Sequence, residues 1–192
     1  MAIIVNGITI PRSSGNIISN GVSVNKVVCN GTIIWARNET TYIYTGSGNP
    51  FSSSLSFIND DGRGSQFPSV TANNGYIDFS LTVGTTGKAG TIWVPVSIEE
   101  REKLCIDCEW ITYGASFNPS SGSDVFITNG PSGSINYSNI VFSKRLLTNG
   151  TSSIPRKMYT LDISNITGTN IVFQLDICNI TAILRVYSVY II

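Results

Sequence analysis

A chain of 192 residues is long enough for one large domain, or one domain with an appendage, and for a buried core. Its charged residues amount to only 12% and cancel to a formal net charge of zero, which excludes the basic surface that nucleic acids or anionic membranes attract. The chain contains no histidine, so imidazole-based catalysis and the commonest metal ligand are excluded as well.

The missing charges are replaced by Ser, Thr, Asn and Gly, which are typical of turns and polar strand faces and favour an all-β protein. The segment Met1–Gly7 has no basic stretch and only a short apolar run, so no signal peptide is predicted. No run reaches the roughly twenty apolar residues of a transmembrane helix. We therefore expect a protein made and folded in the cytoplasm, with its four cysteines as thiols.

Three Asn-Gly pairs, at Asn6-Gly7, Asn20-Gly21 and Asn30-Gly31, punctuate the beginning of the chain. Asn and Gly tolerate the positive φ of a type I′ turn, so each pair predicts a tight β-hairpin. Such hairpins have little apolar surface of their own, so we expect them to dock on the rest of the chain or on a partner. Residues 1–40 are therefore predicted to be a hairpin attachment module, docked through Trp35 and followed by a second domain at 41–192.

Beyond residue 40, short apolar segments alternate with turns rich in Gly, Asn and Ser. The predicted strands are Tyr42–Tyr44, Leu55–Ile58, Tyr76–Val83, Thr91–Val96, Leu104–Tyr113, Val125–Ile127, Ile140–Phe142, Arg156–Ile163, Ile171–Ile177 and Ala182–Ile192. Gly84–Gly90 is predicted to be a hairpin loop. Ser97–Lys103 is predicted to be a short helix, because Ser97 and Glu100 have the spacing of a capping box. About ten strands at this spacing predict a jelly-roll-type β-sandwich with an N-terminal β-hairpin appendage.

Period-two alternation assigns side chains to the two faces of each strand. The predicted core faces are Ile77, Phe79, Leu81 and Val83; Ile92, Val94 and Val96; Leu104, Ile106, Cys108 and Trp110; and Ile171, Phe173, Leu175 and Ile177. The strand Ala182–Ile192 is apolar at nearly every position, which predicts a strand covered on both sides.

The outward positions of these strands combine aromatic and polar residues, namely Trp93, Tyr76, Asp78, Asp107, Glu109, Gln174 and Asp176. An exposed ring can stack on a sugar while neighbouring carboxylates bind its hydroxyl groups. Trp93, Tyr76, Asp107 and Glu109 are therefore the candidate ligand-binding residues for a sugar. The alternative is that Trp93 is covered by the N-terminal hairpins or by another subunit.

Three groups of residues in the sequence could carry other chemistry. Asp107 and Glu109 share a strand face and could serve as the carboxylate pair of a glycoside hydrolase, the least favoured function. Asp60 and Asp61 offer oxygen ligands for a structural calcium ion, although an Asx turn explains the same residues. Cys105 and Cys108 have C-x-x-C spacing, but on a strand they point to opposite faces, which favours structural thiols over a metal or redox site.

The segment Gly21–Trp35 resembles one found in tail and baseplate structural proteins of phages and prophages of Gram-positive bacteria. The resemblance implies a short β module joined to a larger β-sandwich, in a particle-surface protein that assembles with other virion proteins and with copies of itself. Two functions follow as hypotheses. One is a non-enzymatic virion component that also contacts host-surface polysaccharide; the alternative is a carbohydrate-binding module or adhesin outside a virion.

Overall fold

A computed structural model describes the strands of residues 1–39 by their backbone, and beyond them residues 40–55, 64–82, 87–99, 101–113, 121–130, 137–148, 152–177 and 180–192. The chain divides into two compact units, Met1–Thr40 and Thr41–Ile192. No helix in these ranges is long and apolar enough to cross a membrane.

The described strands of the first unit form three antiparallel hairpins. They are formed by β1 (Ile3–Val5) with β2 (Ile8–Ile10), β3 (Ile17–Ser19) with β4 (Val22–Val24), and β5 (Lys26–Cys29) with β6 (Thr32–Ala36). In each hairpin the ladder closes on either side of an Asn-Gly pair, as in the pairing of Val5 with Ile8. The three predicted hairpins are therefore confirmed. The side chain of Trp35 lies outside the described part of the chain, and its docking role stays a prediction.

The second unit contains twelve described strands. In chain order they are β7 (Thr41–Tyr44), β8 (Ser52–Leu55), β9 (Gly64–Ser65), β10 (Ser69–Ala72), β11 (Ile77–Thr82), β12 (Lys88–Pro95), β13 (Lys103–Tyr113), β14 (Gly122–Thr128), β15 (Ile140–Thr148), β16 (Ile154–Asp162), β17 (Asn170–Ile177) and β18 (Thr181–Ile191). A single 3-10 turn, Tyr137–Asn139, precedes β15 in this part of the structure.

These strands form two sheets. Sheet 1 has the order β10-β11-β18-β13-β16, with β7 also pairing with β18; sheet 2 has the order β15-β14-β17-β12-β8, with β9 also pairing with β12. All described pairings in the two sheets are antiparallel except the short β9–β12 pair. The chain crosses from one sheet to the other at most connections, as in a jelly roll. The predicted all-β, jelly-roll-type sandwich is confirmed.

The two sheets pack through their apolar faces. Phe79 of sheet 1 lies with its ring centroid 6.0 Å from Phe173 of sheet 2, and Phe51 contacts both rings. The predicted inward residues of β11, β12, β13 and β17 are buried in this core where they are described, except the partly buried Val96 beyond the end of β12. Trp110 is fully buried, as expected of a core residue.

The predicted hairpin at Gly84–Gly90 is wrong. The two strands that it would join, β11 and β12, lie in different sheets. Each of the two strands has one strongly apolar face. Because the strands lie in opposite sheets, these two apolar faces pack against each other, which they would not do as neighbours in one sheet. Gly90 itself belongs to β12, where a Cβ atom would lie only 2.3 Å from the carbonyl oxygen of Gln66.

The predicted helix at Ser97–Lys103 is also wrong. None of its described residues is helical, and Lys103 already begins β13. The local capping signal is overridden because the backbone amides bond elsewhere: that of Ile98 donates to the carbonyl of Gly168 (3.0 Å) and that of Glu102 to the carbonyl of Ile192 (2.6 Å). Ile98 is fully buried, which fixes this connection against the sandwich.

Strand β18 differs from its prediction as well. Its residues alternate between buried and half-buried positions instead of being covered on both sides. The buried positions are Ala182, Leu184, Val186, Val189 and Ile191. The outward positions, which include Arg185, Tyr187 and Tyr190, stay partly exposed because no layer of described residues covers this side of sheet 1.

Trp110 provides a test of this core. Replacing Trp110 with alanine leaves a large cavity and should lower the free energy of unfolding by about 3–5 kcal/mol in urea titrations of the whole chain. Trp110→Phe should cost less, because most of the ring volume remains and the indole N–H, which has no hydrogen-bond partner among the described residues, is removed. Equal losses for the two variants would contradict this placement of the ring.

Candidate functional site

The outer face of sheet 1 carries a cluster of charged and aromatic side chains. Its members are Tyr76, Asp78, Asp107, Glu109, Arg156, Arg185 and Tyr187, called here the tyrosine–arginine cluster. They come from four segments that adjoin in the sheet: β11 with the residue before it, β18, β13 and β16. The site thus depends on pairing between distant parts of the chain.

Two β-bulges flank Glu109 and shape this face. On one side, Asp107 pairs with Ser188 and Cys108 with Val186, so Tyr187 is an extra residue in β18. On the other side, the register of β16 shifts opposite Glu109, where Pro155 and Arg156 stand against one residue. A bulge bends its strand and re-aims side chains, and here both bulges direct a functional group towards the same carboxylate region.

Arg185 links two carboxylates across three strands. Its Nε donates to Oδ1 of Asp78 (2.8 Å) and its Nη2 to Oδ2 of the same residue (3.0 Å), which forms a bidentate pair. Its Nη1 donates to Oε1 of Glu109 at 3.3 Å. The side chain of Arg185 is only 24% exposed, so this pairing takes place largely out of solvent.

Arg156 forms a second bidentate pair at the adjoining edge. Its Nε and Nη2 both donate to Oδ2 of Asp107, at 3.1 and 2.6 Å, and Nε also lies 3.0 Å from Oδ1. The guanidinium carbon of Arg156 lies 3.8 Å from the ring centroid of Tyr187, and that of Arg185 lies 4.0 Å from the ring centroid of Tyr76. Each cation is therefore held both by a carboxylate and by an aromatic face.

The hydroxyl group of Tyr187 completes the network by donating to Oε1 of Glu109 at 2.8 Å. Burial raises the pKa of Tyr187, and the hydrogen bond to Glu109 raises it further. The hydrogen bonds to Asp78 raise the pKa of Arg185 above its ordinary value. At neutral pH, Tyr187 is thus a neutral donor and Arg185 a fixed cation.

Two glycines position Tyr76 beside the cluster. The amide of Gly75 donates to the carbonyl of Gly46 at 2.9 Å, and both residues have φ of +89°, a conformation that glycine favours. A Cβ atom on Gly46 would lie 3.0 Å from the Gly75 carbonyl oxygen, so the two turns approach closely. Tyr76 then places its ring centroid 5.9 Å from that of Tyr187.

Exposed tyrosines extend the face in both directions. At one end, Tyr42 is 64% exposed and its ring centroid lies 5.5 Å from that of Tyr190 on β18. An open cleft of ≈ 330 Å³ lies beside it, lined by Tyr42–Thr45 and Ser47–Pro50. At the other end, Tyr113 is 59% exposed and pairs with Thr181. Tyr190 and Thr181 are about 30 Å apart along β18 at the rise per residue of a strand.

The structure brings together three of the four predicted ligand-binding residues. Tyr76, Asp107 and Glu109 lie on the outer face of sheet 1, whereas Trp93 lies on β12 in sheet 2, on the side away from the core. Trp93 is half-buried, and its neighbour Val172 in the β12–β17 ladder is fully buried. Trp93 cannot share a binding face with the other three.

Gln174, predicted to be an outward polar residue, is also buried on sheet 2. Asp60 and Asp61, the candidate calcium ligands, lie outside the described residues, so that prediction stays open. In the ranges that the structure describes, no group of three acidic or cysteine side chains is placed to hold a metal ion.

Cys105 and Cys108 point to opposite faces of β13, as predicted. Cys108 lies in the core, where burial is the largest of the effects that raise the pKa of its thiol to about 12. Cys105 lies on the outer side of sheet 1, with its Sγ 4.0 Å from Oγ1 of Thr160. Both are free thiols. A thiol with such a raised pKa stays protonated and unreactive at neutral pH.

The sequence did not single out Arg156, Arg185, Tyr187, Tyr190 or Tyr42 as site residues. For Arg185 and Tyr187 a signal was present, because an arginine two positions before a tyrosine interrupts the apolar run of β18 on one face only. For Arg156 no periodic signal exists, since its direction depends on a bulge.

No protein-family model and no curated protein matches the chain. Among solved structures, it is similar to a family 29 carbohydrate-binding module from Piromyces equi, with 12% identity, 80% of this chain and 89% of that chain covered, and a TM-score of 0.43. It is also similar to a family 11 carbohydrate-binding module from Clostridium thermocellum, with 10% identity, 80% of this chain and 95% of that chain covered, and a TM-score of 0.48.

A third similar structure is the K1 cleaved adhesin domain of Lys-gingipain from Porphyromonas gingivalis. Its identity is 13%, 82% of this chain and 98% of that chain are covered, and the TM-score is 0.43. The solved structures that resemble this chain thus include binding modules and adhesin domains with a β-sandwich. Similarity at these identities and TM-scores identifies no ligand for the chain.

Because Arg185 pairs with two carboxylates, its loss should lower the free energy of unfolding more than the loss of Arg156. Arg185→Leu leaves Asp78 and Glu109 close together without their shared cation, and should lower the free energy of unfolding by roughly 1–2 kcal/mol after allowance for solvent screening. Arg156→Leu should cost less, because Arg156 pairs with one carboxylate and its own side chain is 54% exposed. Urea titration of both variants checks this, and the opposite ranking would contradict it.

Proposed function

We propose that this protein is a non-catalytic carbohydrate-binding module whose ligand lies along the outer face of sheet 1. The observation that carries the proposal is the combination of exposed tyrosines with a fixed network of paired charges on one open sheet face. Sugars have apolar ring faces and directional hydroxyl groups, so they are bound by aromatic rings set among preordered hydrogen-bonding groups.

The tyrosines supply the stacking surfaces. Tyr42 and Tyr113 are each more than half exposed, at opposite ends of the face, while Tyr76 and Tyr187 lie between them. Large exposed rings on a soluble domain leave apolar surface in water, which a ligand can cover. The spacing of about 30 Å along β18 suits an extended chain of several sugar rings rather than a single one.

The carboxylates favour binding over catalysis. A glycoside hydrolase would need one of its two carboxyl groups to hold and deliver a proton. Both oxygens of Asp107 accept bonds from Arg156, and Oε1 of Glu109 accepts from Arg185 and Tyr187. These bonds hold both carboxylates in place within the charged network, which favours an ordered binding surface, and the proposal does not include turnover.

The proposal predicts which aromatic residues affect binding. Tyr42→Ala and Tyr113→Ala should each weaken binding to a retained polysaccharide by about 3- to 10-fold, because each removes one stacking surface. Affinity gel electrophoresis against a panel of soluble polysaccharides measures this. Phe67→Ala is the matched control, since Phe67 is 59% exposed but lies in the connection between β9 and β10.

Trp93→Ala distinguishes a binding site on sheet 1 from one on sheet 2. Trp93 lies on sheet 2, so this variant should bind like the wild type if it is folded. Loss of binding in Trp93→Ala with full binding in the two tyrosine variants would move the site to sheet 2. Absence of binding by the wild-type chain to every polysaccharide at millimolar sugar concentration would reject the proposed function itself.

We propose in addition that residues 1–37 attach the protein to a larger particle, the role implied by the resemblance of Gly21–Trp35 to phage tail proteins. The supporting observation is that the three hairpins belong to a compact unit of their own, Met1–Thr40. In this setting the partners are other virion proteins and copies of this chain, and the sandwich is the part that meets host-surface polysaccharide.

Deletion of residues 1–37 tests the attachment role. The truncated chain should stay folded and keep its polysaccharide binding, because Thr41–Ile192 is a compact unit that holds the described core residues. It should be missing from purified particles when it replaces the full chain in a producing host. Normal incorporation of the truncated chain would reject the attachment role and leave the sugar site unaffected.

A further inference from the structure

The tyrosine–arginine cluster leaves one donor and one acceptor unused. Arg156 bonds Asp107 through Nε and Nη2, and in the described part of the chain its Nη1 has no hydrogen-bond partner. Glu109 accepts its two bonds at Oε1, and its Oε2 is likewise without a described partner. Both groups adjoin Tyr187: Arg156 stacks on its ring, and Glu109 accepts from its hydroxyl.

A free donor and a free acceptor that both adjoin Tyr187 can bind two hydroxyl groups of a sugar that covers this ring. One hydroxyl oxygen can accept from Nη1 of Arg156, while the next hydroxyl donates to Oε2 of Glu109. Arg156 is the accessible member, with 54% of its side chain exposed, whereas the Glu109 side chain is 20% exposed. Bonds to ionised groups are stronger than bonds between neutral groups, so this pair can orient a sugar ring.

The charges of the cluster are already compensated within it. Two guanidinium groups face three carboxylates, and each guanidinium forms a bidentate pair, Arg156 with Asp107 and Arg185 with Asp78. A carboxylate or sulfate on a ligand would meet no unpaired cation there and would lie near Glu109, a like charge. The cluster therefore disfavours acidic glycans even though it contains two arginines.

On the basis of the proposed function, we infer that the ligand is an uncharged polysaccharide bound through adjacent hydroxyl groups by Arg156 and Glu109, and that Asp107 determines this selectivity. The negative charge of Asp107 compensates the positive charge of the Arg156 guanidinium, while Nη1 stays free to donate. Removing only the charge of Asp107 should therefore turn Arg156 into an attractant for acidic glycans.

Asp107→Asn tests the inference, because the amide oxygen can still accept from Arg156 while the negative charge is lost. The probes are hydroxyethylcellulose and galactomannan as neutral polymers and polygalacturonate as the acidic one. The wild type should be retarded only by neutral polymers. At about 10 mM salt, Asp107→Asn should bind polygalacturonate about tenfold or more tightly than the wild type, and about 1 M salt should abolish the gain.

Asp162→Asn is the matched control. Asp162 is an exposed residue of β16, its described hydrogen bonds come from Ser164 within its own turn, and its loss removes the same charge without releasing a guanidinium. It should not gain affinity for polygalacturonate. Thermal unfolding verifies that each variant is folded, and Asp107→Ser replaces Asp107→Asn if the latter is not.

The outcomes separate the two proposals. Tight binding of polygalacturonate by the wild type, or no gain in the folded Asp107 variant, would overturn the inferred selectivity while leaving a carbohydrate-binding function standing. An equal gain in Asp162→Asn would also overturn it, since net charge alone would then explain the effect. If the wild type binds none of the neutral or acidic polymers, the proposed function fails and the inference fails with it.

Discussion

The outer face of sheet 1 depends on two register shifts around Glu109. Without the extra residue at Tyr187, period-two alternation would point neighbouring side chains of β18 to the opposite sides. Without the second shift, β16 would not bring Arg156 into reach of Asp107 and of the Tyr187 ring. The bulges thus assemble the proposed binding surface from strands whose inward residues still fill a regular core.

The two sheets use their outer faces differently. Sheet 1 presents exposed tyrosines and partly exposed paired charges, whereas on sheet 2 the outward positions of β17 include Val172 and Gln174, which are buried. The core side is alike in both, with apolar residues at alternate positions. The two layers therefore differ in what lies opposite the core, and in the described part of the chain only sheet 1 offers an open polar and aromatic surface.

The sequence predicted the inward faces well because periodicity reflects burial directly. Phe79, Trp110 and Phe173 are in the core as expected. It could not predict which sheet a strand joins, because alternation is the same in either layer. For that reason the sequence pattern groups Trp93 with Tyr76 and predicts a hairpin loop at Gly84–Gly90. Arg156 was missed for a related reason: a bulge breaks the period on which the prediction rests.

The cluster is ordered before any ligand arrives, and this has an energetic consequence. Arginine and tyrosine side chains that are free in solution lose rotational entropy when they bind, at roughly 0.5–1.5 kcal/mol for each flexible side chain. Here Arg185 is fixed by Asp78 and Glu109, and Tyr187 by Glu109 and Arg156. Much of this rotational entropy is therefore lost when the protein folds and not when the ligand binds. In the proposed function, the paired charges act less as attractants than as a scaffold that holds rings and donors at fixed positions for an uncharged ligand.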